Sequence, residues 1–290
     1  EQEHASVRIV DTHTNIVQIE KNWQVIFEDK TTSLELKADH SALIMKQIWD
    51  FSQTVDIEDV KEILDRQIAC NMAIANEGIH NSYGANIGHV ILNMDSDCVK
   101  TRAKAYAAAG SDARMNGCEL PVVINSGSGN QGITCCVPVV VYAKELDCTQ
   151  KQLYRALVLS NLTAIYIKTG IGTLSAFCGA VSSGAAAGAG IAYLHNGTYK
   201  EIQHTIVNAL AILSGTICDG AKASCAAKIA SSVDAGIMGY YMYKNKQQFY
   251  AGDGIVAHSV DETIQNIGTL GSQGMLQTND KIIEMMISCD

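Results

Sequence analysis

Residues 169–197 read TGIGTLSAFCGAVSSGAAAGAGIAYLHNG, and no Asp, Glu, Lys or Arg occurs between Lys168 and Lys200. By length alone such a stretch crosses a bilayer core of roughly 30 Å. Its composition argues otherwise: Gly, Ala and Ser stand where a membrane span carries Leu, Ile and Phe, so transfer to lipid gains little. Small side chains have another use, because they let neighbouring helices approach closely. The segment predicts a central helix wrapped by others, with no membrane partner. The sparsely charged stretch His204–Cys218, HTIVNALAILSGTIC, is expected to pack beside it.

Outward from this helix the pattern changes near the N-terminus. Residues 7–28, VRIVDTHTNIVQIEKNWQVIFE, alternate apolar and polar positions around a polar stretch, a period-2 signal for two or three short strands. From Ala38 the period becomes helical, with stripes at Ala42, Ile44, Met45, Ile48 and Trp49 and at Val60, Ile63, Leu64 and Ile68. Only Pro121 and Pro138 interrupt the whole chain, so obligatory helix breaks are few. The reading is α+β: a small β-containing region over residues 1–36, then a predominantly α-helical domain over residues 37–290.

Composition narrows the function classes. The net charge is −9 and no Lys/Arg run is present, which disfavours nucleic acid and anionic membrane surfaces as partners. Charged residues make up 18% of the 290, below the roughly 25% of an average domain, so much surface is expected to be buried and a homo-oligomer is the expected state. Ten cysteines fall well short of the roughly 8–10% of a short disulfide scaffold, and a reducing, cytoplasmic setting fits better. The opening Glu1-Gln2-Glu3-His4 has no initiator Met, basic run or apolar run. It predicts no signal or transit peptide, and the missing Met suggests a preceding piece.

Two constellations can carry chemistry. Asn125–Gly132, NSGSGNQG, contains a formal G-x-G-x-x-G after the strand-like run LPVVI. A dinucleotide site needs a βαβ unit and an unbroken helix. Here Pro138 falls well past the first turn and is expected to bend that helix, so no NAD is expected. Without that template the loop offers backbone N–H groups and the side chains of Ser126, Ser128, Asn130 and Gln131, which suit a small carboxylate. A plain strand-to-helix turn is the other reading. Arg114 can fork onto a carboxylate or pair with Asp112. The second constellation is Cys178, Cys218 and Cys225, spaced by 40 and then 7 residues. Neither zinc ribbons nor ferredoxins use this spacing, and buried core thiols are the alternative.

Four segments in order, GSDARMNG (110–117), NSGSGNQGI (125–133), FCGAVSSGAAAGAG (177–190) and ICDGAKASCAAKI (217–229), resemble the iron–sulfur L-cysteine desulfidase family. That family is related to the α-domain of bacterial iron–sulfur L-serine dehydratases. The resemblance runs from about Val7 almost to the C-terminus. It implies that Cys178, Cys218 and Cys225 hold a [4Fe–4S] cluster with one iron lacking a protein ligand, in the predominantly helical, cluster-binding domain. It implies a lyase that turns L-cysteine into pyruvate, ammonia and hydrogen sulfide without pyridoxal phosphate (PLP). L-Serine deamination on the same cluster is the alternative, and a non-enzymatic helical protein that binds a small ligand is a more distant one.

The resemblance also places the loop holding His13 and Asn15 near the active site. A surface hairpin in which Asn15 bonds its own backbone is the plainer reading. The family's N-terminal Gly-Cys-Thr-Glu-Pro-like motif, whose cysteine is proposed as acid/base, has no counterpart here. The catalytic base is therefore left unassigned, and a missing N-terminal segment or subunit is expected as a partner beside the amino-acid substrate. Cys289 is a candidate tail ligand by analogy with some serine dehydratases. His80 and His89 show no partner in the sequence, and Asp219, Lys222 and Lys228 are expected to flank the cluster cysteines on a helix.

Overall fold

Period-2 alternation near the N-terminus produces an antiparallel meander: β1 (Ala5–Ile9), β2 (Ile16–Lys21) and β3 (Gln24–Glu28) in the order β1-β2-β3. Asn22 and Trp23, both at positive φ (49° and 67°), make the tight turn between β2 and β3. Such backbone is uncommon for a bulky residue, and here the Trp23 ring stacks on His4 at 3.9 Å. This computed structural model describes residues 3–10, 15–29, 39–172 and 175–288. The chain divides into two compact units, Glu1–His40 and Ser41–Asp290.

Helices dominate the described residues of the second unit. In order come α1 (Met45–Thr54), α2 (Ile57–His80), α3 (Ile87–Met94), α4 (Val99–Met115), α5 (Gly129–Glu145) and α6 (Gln150–Ile171). They are followed by α7 (Gly179–Leu194), α8 (Tyr199–Leu213), α9 (Ser224–Lys244), α10 (Val260–Thr269), a π-helical turn (Leu270–Gly274) and α11 (Leu276–Ile287). Reciprocal capping boxes open three of them: Thr149 with Gln152 for α6, Thr198 with Glu201 for α8 and Ser259 with Glu262 for α10. Each box satisfies two orphaned backbone donors at a helix start.

The uncharged segment forms the central helix. α7 is buried from Ala180 to Ala192 and packs against α5, α6, α8 and α9. Among the described residues no helix is long and apolar enough to cross a membrane. The α7–α9 crossing is a backbone contact. A Cβ added to Gly184 would stand 2.4 Å from the Ser232 carbonyl oxygen, and one on Gly188 would stand 2.6 Å from that of Gly236.

Two local expectations are corrected. LPVVI is not a strand: residues 118–124 are extended coil. The side chain of Asn71 stands in for a strand partner, donating to the Val123 carbonyl (3.1 Å) and accepting from its N–H (2.8 Å). Pro138 lies inside α5, which continues past it with Ile133, Cys135, Cys136, Val137 and Val139 buried around it. Packing outweighs one missing hydrogen bond. The helical stripe begins at Met45, whose N–H is held by the Asp261 carboxylate at 2.9 Å, so Ala42 and Ile44 precede the helix.

Gly184→Ala tests the crossing. Alanine gains about 1 kcal/mol in helix propensity, but the added methyl meets backbone that cannot swing aside, so a net loss of about 1–3 kcal/mol is expected. A denaturant midpoint at or above that of the parent chain would show that the helices lie farther apart.

Candidate functional site

Cys178 and Cys218 are brought side by side by a two-residue β-bridge between Phe177 and Ile217. The Cys178 N–H donates to the Thr216 carbonyl (3.0 Å) and the Cys218 N–H to that of Ala176 (2.6 Å). Ser175 braces the bridge, its hydroxyl donating to the Gly271 carbonyl in the π-helical turn (2.7 Å) and accepting from the Phe177 N–H (3.0 Å). Cys178 is therefore the N-cap of α7 and does not lie inside the Gly/Ala helix as its composition suggested. Cys218 and Asp219 likewise precede α9, since Gly220 at φ 98° turns the chain before the helix begins at Ser224. Cys225 is the second residue of α9, and its thiol points at the Gly220 carbonyl at 3.6 Å.

Cations surround these thiols. Asp219 accepts from both Lys222 and Lys228, and Lys228 also donates to the Ile217 carbonyl at 2.9 Å. Partial burial would raise the Asp219 carboxyl, but the two lysines outweigh it and hold the group at about 2. Cys178 and Cys218 interact through their thiols. The exposed Cys218 is lowered to about 6 by the hydrogen bond from Cys178, while that partnership and burial push Cys178 well above the thiol range. Lys168, buried on α6, is lowered by desolvation and raised by Cys218 and Cys178. Arg114 is likewise lowered by burial and raised by Cys225. Among the described residues no three His, Cys, Asp or Glu side chains converge tightly enough for a single metal ion.

The α5 N-terminus approaches this patch. Arg114, at the end of α4, lies across Gly129, where a Cβ would meet its Nε at 2.2 Å, and it donates to Asn130 Oδ1 at 3.3 Å. Gln131, 5% exposed, lies against Gly179, and its buried Oε1 accepts no hydrogen bond. Ser128 is the N-cap of α5 but its hydroxyl caps no backbone N–H. Ser126, at φ 49°, turns its hydroxyl onto Asn125 Oδ1 at 2.8 Å. It sits in the turn and is engaged with the loop itself.

The other candidates have partners of their own or lie outside the described residues. Asn15 belongs to the first unit, where its amide donates to the Val10 carbonyl at 2.9 Å. His13 and Cys289 lie outside the described residues. Asp112 does not pair with Arg114; it caps α3 by accepting from the Ile87 N–H at 2.7 Å. His80 and His89 each bond an α2 carbonyl, those of Asn76 and Ile79. Sequence reasoning passed over Lys168, which it met only as the edge of the uncharged stretch. Its position next to the apolar run was the available signal.

A model of the serine dehydratase alpha chain family matches residues 9–284. The chain belongs to the serine dehydratase alpha chain family. It is 57% identical to a UPF0597 protein of Desulfitobacterium hafniense over 98% of this chain and 67% of that protein. UPF0597 proteins of Lachnoclostridium phytofermentans and Finegoldia magna are 51% and 49% identical, each over 97% of this chain and about two thirds of their own length. No solved structure matches the chain. In this serine dehydratase alpha-type chain the three motifs containing Arg114, Gln131 and Cys178 meet at the adjoining ends of α4, α5 and α7.

The thiol geometry has a measurable signature in the metal-free chain. A thiol lowered to about 6 is ionised above that pH, so iodoacetamide should label Cys218 at a rate that rises through pH 6. Ordinary thiols rise through about 8–9, and Cys135 and Cys136, fully buried, should stay unlabelled at neutral pH. Peptide mass spectrometry reads this directly. A Cys218 profile with the ordinary midpoint would contradict the pairing with Cys178.

Proposed function

We propose that this chain carries the cluster site of an iron–sulfur lyase that eliminates hydrosulfide from L-cysteine, giving pyruvate, ammonia and hydrogen sulfide. The observation that carries the reading is the Phe177–Ile217 bridge that sets Cys178 beside Cys218, with Cys225 at the start of α9 acting on Lys228 as Cys178 does, and with Lys168 and Arg114 as further cationic neighbours. The donor set fits a sulfur-ligated cluster: soft thiols, one of them already lowered towards the thiolate, with cations to balance anionic charge. Cys178, Cys218 and Cys225 would hold it, and a [4Fe–4S] group so bound supplies a Lewis-acidic iron free of protein ligands.

The chain's own residues perform the rest of the binding. Arg114 has no carboxylate partner among the described residues and presents its guanidinium beside Asn130, so it receives the substrate α-carboxylate as a fork. The Ser128 hydroxyl and the Asn130 amide supply further donors at the α5 N-terminus, where the helix dipole also favours an anion, and the Gln131 Oε1, an acceptor without a donor, suits the substrate ammonium. Orientation by these groups holds the Cα–H and Cβ–S bonds for elimination. The Cα proton leaves to a base, the Cβ–S bond breaks with its electron pair on sulfur, and the aminoacrylate tautomerises and takes up water to release ammonia and pyruvate. The family match favours L-serine as the second reading, in which hydroxide leaves in place of hydrosulfide.

Anaerobic reconstitution tests the reading. The parent chain should hold about four iron and four acid-labile sulfide, whereas Cys178→Ser should hold neither while keeping its helical signature. A folded parent chain without iron would sink the proposal. With L-cysteine and L-serine in competition, the higher kcat/KM identifies the substrate. Arg114→Lys, which loses the fork, should raise KM roughly tenfold or more with iron content unchanged; an unchanged KM would remove Arg114 from carboxylate binding.

A further inference from the structure

A cavity of about 360 Å³ lies among α3, α4, α8 and α9, lined by none of the three cysteines assigned above. Asp234 on its α9 wall is nine positions beyond Cys225, roughly 13 Å along the helix. The other walls are aliphatic: Met94 ends α3, Ile212 and Leu213 end α8, and Met238 stands one turn after Asp234. Met94, Ile212 and Met238 are all exposed, so three large apolar side chains rim an opening to solvent.

Charge is set against these walls in opposed pairs. Lys104, its side chain only 14% exposed, donates to Asp95 Oδ2 at 3.1 Å and stands 3.2 Å from Asp234 Oδ1. Lys100 reaches the same Asp234 oxygen at 3.0 Å. Two cations and two carboxylates leave the group neutral, and the cavity lining holds no further charged side chain among the described residues. The hydrogen bonding is incomplete. Asp234 Oδ1 is buried, yet neither lysine is aligned to donate to it. Lys104 gives one aligned bond to a carboxylate, that to Asp95, although an ammonium carries three donors. A buried acceptor left without a donor costs free energy that a bound partner recovers.

We propose that this cavity binds a free α-amino acid with an aliphatic side chain of about the size of leucine. The ligand ammonium donates to Asp234 and Asp95, its carboxylate accepts from Lys104, and its side chain lies among Met94, Ile212, Leu213 and Met238. A zwitterion keeps the neutral balance of the site, which a plain amine or acid upsets. The volume is at the small end of small-molecule pockets, and two flexible methionines adapt the walls to a branched chain. The site is independent of the cluster reading.

Calorimetric titration of the metal-free chain with L-leucine tests the proposal, beside L-alanine, isoamylamine and 4-methylpentanoate, which lack the side chain, the carboxylate and the ammonium respectively. L-Leucine should bind saturably at one site per chain, and each of the other three at least about tenfold more weakly, the scale of one lost charged hydrogen bond or apolar contact. Met238→Trp fills the cavity from its wall and leaves the four charges in place; with its helical signature intact it should abolish binding. Asp234→Asn should weaken it about tenfold or more. If Asp234→Asn fails to fold, Met238→Trp decides. No saturable binding of L-leucine, binding that Met238→Trp leaves unchanged, or equal binding of isoamylamine would each overturn the proposal.

Discussion

The backbone contact between α7 and α9 fixes more of this molecule than any other interaction. Gly184 faces Ser232 and Gly188 faces Gly236, so both helices advance in the same direction with a constant offset of 48 positions. Carried back along the helices, that register sets the start of α7, where Cys178 is the N-cap, alongside the start of α9, where Cys225 lies. A Cβ at these crossings would force the axes apart, and the two thiols with them. The Gly/Ala composition of α7 is thus the condition for the cysteine patch as well as for the core.

Two further devices complete the patch without lengthening any helix. The Phe177–Ile217 bridge ties the segments before α7 and α9 together, so Cys218 arrives beside Cys178 although 40 residues separate them. Gly129 and Gly179 leave room for side chains from neighbouring elements, Arg114 over one and Gln131 over the other. Both are long polar side chains held against backbone, which lowers the entropy lost when they engage a ligand.

Charge is distributed with the same economy. The chain is acidic overall, yet Arg114, Lys168 and Lys228 each have one or more of the three cluster-candidate thiols as an electrostatic neighbour, and among the described residues the carboxylate of Asp219 lies beside them, held by Lys222 and Lys228. In a partly desolvated setting such an imbalance is costly unless an anion fills it. Membership of the serine dehydratase alpha chain family gives that anion a chemical context.

Periodicity alone determined much of this protein. Residues 7–28 alternate because a two-faced ribbon has period 2, and the charge-free run 169–199 reads as a central helix because only small side chains suit a surface contacted on every side. The order of the four motifs likewise carried the family. What sequence could not carry was anything that depends on two distant segments meeting. The strand-like LPVVI became coil because Asn71 bonds Val123, Pro138 stayed helical because its neighbours are packed, and Cys178 became an N-cap because the Phe177–Ile217 bridge stops the helix there. Lys168 belongs to the same class: its charge is visible in the sequence, but its burial beside two thiols and away from every described carboxylate is a product of how α6 lies on α7.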